Sequence, residues 1–161
     1  AVSPLTSGNL MVVSHGYREG TRAYTVEGGK VAKAWHQKKL DVHHGGALLL
    51  DDAFYGAASN GTWYSLGIED GAIRSEVRRM GKGSMIYADG RIYGYNEAGE
   101  VMLVDPEDLS VISRFEITEG EGHHWSHPVI SDSVLYIRHG DVLMAYDIAA
   151  DAPQESASSA R

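Results

Sequence analysis

The sequence predicts an all-β protein made of repeated four-stranded antiparallel units, and three observations carry that prediction. Apolar and polar residues alternate over short runs rich in Val, Ile and Tyr, which is the period of a strand and not of a helix. The 19 glycines are spread along the 161 residues rather than clustered, so tight turns punctuate the whole chain. The chain also aligns with itself at a period of roughly 40 residues, in the range of radially repeated β folds.

The repeat is visible residue by residue. PLTSGNLMVVSHG (4–16) aligns without a gap on PVISDSVLYIRHG (128–140), pairing Pro4 with Pro128, Ser7 with Ser131, His15 with His139 and Gly16 with Gly140. HHGGALLLDDAFYGA (43–57) aligns on HWSHPVISDSVLYIR (124–138), so Asp51 meets Asp132, Phe54 meets Leu135 and Tyr55 meets Tyr136. A further copy, MIYADGRIYGY (85–95), puts Asp89 at the same place and Ile92-Tyr93 on Leu135-Tyr136. Units therefore start near residues 4, 47, 85 and 128.

Within each unit the elements follow one order. A short apolar segment ends in a turn (LLLDD, MIYADG, PVISDS), and the recurring Asp51, Asp89 and Asp132 read as turn residues. A second strand follows (NLMVVS, AFYGAA, RIYGYN, VLYIRH), then a hairpin (HGYREG, SNG, NEAGE, HGD) rich in Gly, Asn and Asp. A third strand comes next (TRAYTV, TWYSLGI, VMLVD, VLMAYDI). After EGG, EDG or DPEDLS a fourth closes the unit (KVAKAWH, AIRSEVR, VISRFEI). Four antiparallel strands repeated radially are the blade plan of a β-propeller.

RIYGYNEAGEVMLVDPEDLSVISRFEI and VLYIRHGDVLMAYDI resemble the repeat of the pyrroloquinoline-quinone-like (PQQ-like) β-propellers, the quinoprotein alcohol dehydrogenase-like family. Gly90, Tyr93, Gly99, Val101, Asp105 and Phe115 fit its pattern in the third unit, and Lys30-Val31 and Trp35 fit its closing part in the first. The resemblance covers almost the whole chain. It implies a propeller domain over 1–148 and, for most bacterial members, a periplasmic or secreted location. It specifies fold better than function, because the family holds dehydrogenases, assembly lipoproteins and other secreted proteins.

The fourth unit stops after its third strand, and the tail at 149–161 (ADAPQESASSAR and the Ala before it) is expected to be disordered. Rings of this family resemble seven- or eight-bladed propellers, so about four blades make a partial ring. Three arrangements follow: the C-terminal blades of a longer propeller, a homodimer that completes one ring, or a closed four-bladed ring.

In an up-down-up-down blade, blade-to-blade connections and second-to-third hairpins emerge on one face. His43 and His44 are expected in one connection, and His123, His124, Trp125 and His127 in another. His15 and His139 fall at hairpins of that same face, and His36 in an outer strand. Imidazoles gathered there suit a metal or an anionic ligand. Loop histidines that bond backbone groups in turns explain the same pattern. Lys38, Lys39, Arg78, Arg79 and Lys82 precede the connections and tilt this face towards an anion. Trp125 and His127, which replace His44 and Gly46 of the second unit, are specific to the fourth. Trp125 suits either a planar ligand or packing between blades. Trp35, Phe115 and Trp63 are expected to pack between blades, and Asn60-Gly61 to form a hairpin turn.

A formal net charge of −8 argues against nucleic acid as a partner, and no apolar run approaches the roughly 20 residues of a membrane helix. The absence of cysteine excludes disulfides, thiol nucleophiles and thiolate metal sites. No paired carboxylates stand out as an acid–base couple. The expected function is a non-catalytic module, without cofactor, holding a protein, glycan or small anionic ligand at the loop face. The alternative implied by the resemblance is part of a dehydrogenase that oxidises an alcohol or sugar with PQQ and calcium. Many such enzymes carry a vicinal cysteine disulfide that this chain lacks.

Overall fold

The computed structural model describes residues 2–149, so the tail expected to be disordered lies almost wholly outside the described residues. The described chain is all strand and turn. The first sheet runs β1 (Leu5–Ser7), β2 (Leu10–His15), β3 (Gly20–Glu27), β4 (Lys30–Gln37), and the second β5 (Val42–Leu50), β6 (Ala53–Ala58), β7 (Trp63–Gly67), β8 (Ile73–Val77). The third comprises β9 (Gly83–Ala88), β10 (Arg91–Asn96), β11 (Glu100–Val104) and β12 (Val111–Glu116). The fourth holds β13 (Val129–Ser131), β14 (Val134–His139) and β15 (Val142–Asp147). Strands in each sheet pair with their sequence neighbours, and the pairs are antiparallel, which is the predicted blade order.

The turn chemistry matches the repeated aspartates. Asp51, Asp89 and Asp132 take φ of 48°, 48° and 49°, a left-handed conformation that Asp tolerates better than most side chains. Asp89 is followed by Gly90 at φ 75°, the two positive values a type I′ hairpin requires.

Packing runs between sheets. One core cluster joins the first and second sheets through Val12, Ala23 and Trp35 against Leu40, Phe54, Tyr64 and Leu66. A second joins the second and third through Tyr55 and Trp63 against Ile92, Met102 and Val104. A third joins the third and fourth through Tyr95 and Val101 against Leu135 and Ile137. Strand alternation explains this, because each sheet gives one apolar face to the sheet before it and the other to the sheet after it. The innermost strands come closest. A Cβ on Gly45 would stand 1.6 Å from the Gly83 carbonyl oxygen, so only glycine permits the contact of β5 with β9.

Trp35 and Trp63 are buried as expected, and their indole N–H groups donate to the carbonyls of Ile68 and Gly81, both at 2.8 Å. Phe115 departs from expectation. It is 40% exposed on β12, and its ring meets Tyr146 at 4.9 Å. Asn60-Gly61 forms a hairpin turn as expected but not of type I′, because only Gly61 takes a positive φ (78°); the Asn60 side chain instead accepts from Thr62 N at 3.0 Å.

Candidate functional site

The histidines collect in two groups. One is a line of rings: His15 to Tyr17 at 6.1 Å, Tyr17 to His43 at 4.6 Å, His43 to His44 at 5.3 Å, His44 to Trp125 at 5.5 Å, and Trp125 to His123 at 4.2 Å. It links the first two sheets to the connection that precedes the fourth. The Trp125 and His123 planes lie within 8° of parallel, and Trp125 is 52% exposed, so blade packing is not its role. His43 and His44 do not lie in a free connection as expected; they belong to β5. Its ladder with β6 is interrupted between Val42 and Ala47, so these two histidines sit in a stretch of strand released from that partner.

Glu97 organises this line, and the histidine pattern did not reveal it. Its Oε1 accepts from His44 Nε2 at 2.8 Å, from Trp125 Nε1 at 2.8 Å and from Lys82 Nζ at 3.0 Å. Burial disfavours its charge, but the bonds from Lys82 and His44 outweigh that, and its pKa lies below the ordinary carboxylate value. His44 Nδ1 is buried without a hydrogen-bond partner among the described residues. His43 is held below the usual histidine value by burial first and by the Lys82 charge second. Asp41, also missed, accepts from Arg18 N and Ser59 N at 3.0 Å each, tying the first sheet's hairpin to the second's.

The second group lies deeper: Tyr95 and His139 are buried and His124 is half-buried. His124 and His139 stack with centroids 3.7 Å apart, and Tyr95 meets the edge of His124 at 5.5 Å. The Tyr95 pKa is pushed up to about 12 by burial and by Tyr146. Its hydroxyl therefore keeps its proton and donates to His124 Nδ1 at 2.5 Å. Burial and the His139 ring hold His124 below the usual histidine value, consistent with a neutral acceptor ring. Gly99, at φ 89°, leaves room for it; a Cβ there would stand 2.9 Å from His124 Cε1. His139 itself faces two carbonyl oxygens, Glu119 O at 2.8 Å and Gly122 O at 3.1 Å, and so pins the connection before β13. These two rings serve the scaffold, as turn histidines would.

His127 and His36 stand apart from both groups, and His15 sits at the margin of the first. His15 is exposed, with Nδ1 3.0 Å from the neighbouring Gly16 carbonyl, and contributes the far end of the ring line. His127 lies over Gly46, its repeat counterpart, and lines a groove with His44, Val2 and Leu5. His36 bonds the Glu19 carbonyl at 2.8 Å on the outer strand. The basic residues are partly neutralised: Lys39 and Arg78 share Glu76 at 3.2 and 3.1 Å, and Lys82 is taken by Glu97. Among the described residues, no group of three or more His, Asp or Glu side chains is placed to hold a metal ion.

No family model and no curated protein matches this chain. Solved structures do. BamB from Moraxella catarrhalis superposes with a TM-score of 0.68 at 17% identity, over 91% of this chain and 44% of that one. The fold of this chain is that of a β-propeller. A europium-containing methanol dehydrogenase matches with a TM-score of 0.68 at 12% identity, over 83% of this chain and 34% of its own. The computationally designed Ika4 protein matches at 0.66 and 12% identity, over 91% of this chain and 89% of Ika4. The designed Ika8 protein matches at 0.65 and 12%, over 90% of this chain and 45% of Ika8. The chain thus spans less than half the length of BamB, and these identities speak to fold alone.

Proposed function

We propose that this PQQ-like propeller segment is a non-catalytic binding module that holds a protein or glycan partner on its loop face, over Trp125. The observation that carries the reading is the exposed indole of Trp125, stacked on His123 and held by Glu97 through its N–H at 2.8 Å. A large aromatic face kept partly in water and fixed in orientation is a ready stacking surface. Sugar rings and planar or apolar side chains stack on such a face, and Lys82 and His43 at its flank offer polar partners. A small anion alone draws less support, since Glu97 and Glu76 already neutralise the basic groups nearest the ring line. The resemblance supports a location outside the cytoplasm, periplasmic or secreted.

The second reading, part of a PQQ-dependent dehydrogenase, draws on the methanol dehydrogenase match. A calcium-held quinone needs converging carboxylate and amide oxygens. The described residues do not fit that need: they supply no metal-binding cluster, and Glu97 is already engaged by Lys82, His44 and Trp125.

The experiment titrates soluble neutral and acidic oligosaccharides and extended peptides while following tryptophan fluorescence. Trp35 and Trp63 are buried, so the signal at the surface belongs to Trp125. Binding that saturates and disappears in Trp125→Ala is the expected result. Stoichiometric uptake of PQQ with calcium and dye-linked oxidation of an alcohol or sugar overturns the proposal.

A further inference from the structure

Three concavities open on the loop face where the first two sheets meet, and they run into one another. The innermost, of about 260 Å³, is walled by Tyr17, His43 and Lys82, so it begins beside the ring line. The next, of about 410 Å³, shares Arg18, Asp41 and Ser59 with it and adds Lys38 and Lys39. The outermost, of about 380 Å³, shares Lys39 and Asn60 with its neighbour and ends at Glu76 and Arg78. The walls are chiefly the hairpin after β2, the connection from β4 to β5 and the hairpin after β6, loops with described strands on both sides.

This groove is fixed in shape. Asp41 is buried, and its carboxylate accepts from the backbone N–H groups of Arg18 and Ser59 at 3.0 Å each, while Ser59 Oγ donates to the Asp41 carbonyl at 3.0 Å. Tyr17 and Arg18 stand at φ 59° and 68°, a left-handed pair that side chains adopt only where their surroundings impose it. Gly16 seats their hairpin on β5, since a Cβ there would stand 2.8 Å from His43 Cδ2. The groove is also basic. Arg18, Lys38, Lys39, Arg78 and Lys82 line it against the carboxylates of Asp41 and Glu76, in a chain whose formal net charge is −8. Lys39 and Arg78 share Glu76, and Lys82 is held by Glu97. Among the described residues, neither Arg18 nor Lys38 is ion-paired.

We propose that the groove binds an acidic oligosaccharide along its length, resting on the binding-module reading for its inner end and adding to it the charge of what is bound. The free cations at Arg18 and Lys38 come from different loops, so they suit acidic groups spaced along a chain better than one compact anion. Tyr17, 74% exposed, and Trp125, 52% exposed, offer faces on which sugar rings stack. Ser59 and Asn60, both exposed between them and the outer end, present hydroxyl and amide groups to sugar hydroxyls.

Calorimetric titration tests this with oligogalacturonate, whose acid is a carboxylate, and with sulfated dextran oligomers. Methyl-esterified oligogalacturonate and plain dextran are the uncharged counterparts, and oligoglutamate is the peptide counterpart. Either acidic glycan binding more tightly than its uncharged counterpart is the expected result, and their ratio tells carboxylate from sulfate. Affinity falls as salt is raised. Arg18→Gln combined with Lys38→Gln weakens binding about tenfold while circular dichroism keeps its β signal. Binding lost in that double variant but retained in Trp125→Ala supports the groove and overturns the Trp125 platform. Equal affinity for charged and uncharged glycans, or an unchanged affinity in the double variant, overturns the groove and leaves the platform standing. Oligoglutamate binding more tightly than both acidic glycans, or no binding of either glycan, also overturns the proposal.

Discussion

Replacing Glu97 with alanine separates the electrostatic content of the loop face from its shape. Three donors lose one acceptor oxygen: Lys82, Trp125 and His44. Lys82 and Trp125 reach water, so their bonds contribute about 0–1 kcal/mol each. His44 does not recover as easily. Its Nδ1 already lacks a partner, and losing the Nε2 bond leaves the ring with none, at roughly 1–3 kcal/mol for a buried unsatisfied group. The sum is about 2 kcal/mol, and urea denaturation of wild type and variant at neutral pH measures it. The sign of its pH dependence is fixed. Glu97 has a folded pKa lowered from 4.5, so its contribution is fully present above that value and is lost as pH falls through the folded pKa. The gap between wild type and variant must therefore close on acidification below 4.5. A loss under about 0.5 kcal/mol, below what one such bond contributes, or a gap that persists in acid, refutes this account of Glu97.

Other outcomes follow from the packing and titration of named groups. Trp63→Ala, which empties a fully buried site against Gly94, costs about 3–5 kcal/mol and lowers Tm by roughly 2–4 °C per kcal/mol in calorimetry. Iodide quenches only one of the three tryptophans, and Trp125→Phe removes that accessible fraction. His124 and His43 both have folded pKa values lowered from 6.5, so the unfolded chain binds more protons and stability declines as pH falls below 6.5. His124→Asn reduces that slope in pH-dependent denaturation; an unchanged slope places the titration elsewhere.

Local rules made the fold readable. Strand period, turn chemistry and repeat length concern residues close in sequence, and they produce the antiparallel order and the left-handed aspartates at 51, 89 and 132. The site was readable only in outline, because it is assembled across sheets. Glu97 lies 53 residues from His44 and 28 from Trp125, and no sequence period joins them. Repeat alignment also drew attention to residues that recur, such as His15 and His139. Glu97 sits one place beyond their equivalent, where the first and fourth hairpins carry Gly16 and Gly140 and the second Ser59, and so differs from the repeat. Burial was the other quantity missing. His124 and Trp125 are adjacent in sequence, yet one is stacked within the scaffold and the other stands in water.

Among the described residues the core is divided into three separate clusters, one at each sheet junction. Stability is then nearly a sum over neighbouring pairs, as in a one-dimensional chain of coupled units, rather than the property of one shared centre. Loss of order can begin at an end and travel inward one junction at a time. Among the described residues the three-stranded fourth sheet packs on the third alone, and amide protons in its β14 and β15 should exchange ahead of those in β6 and β10.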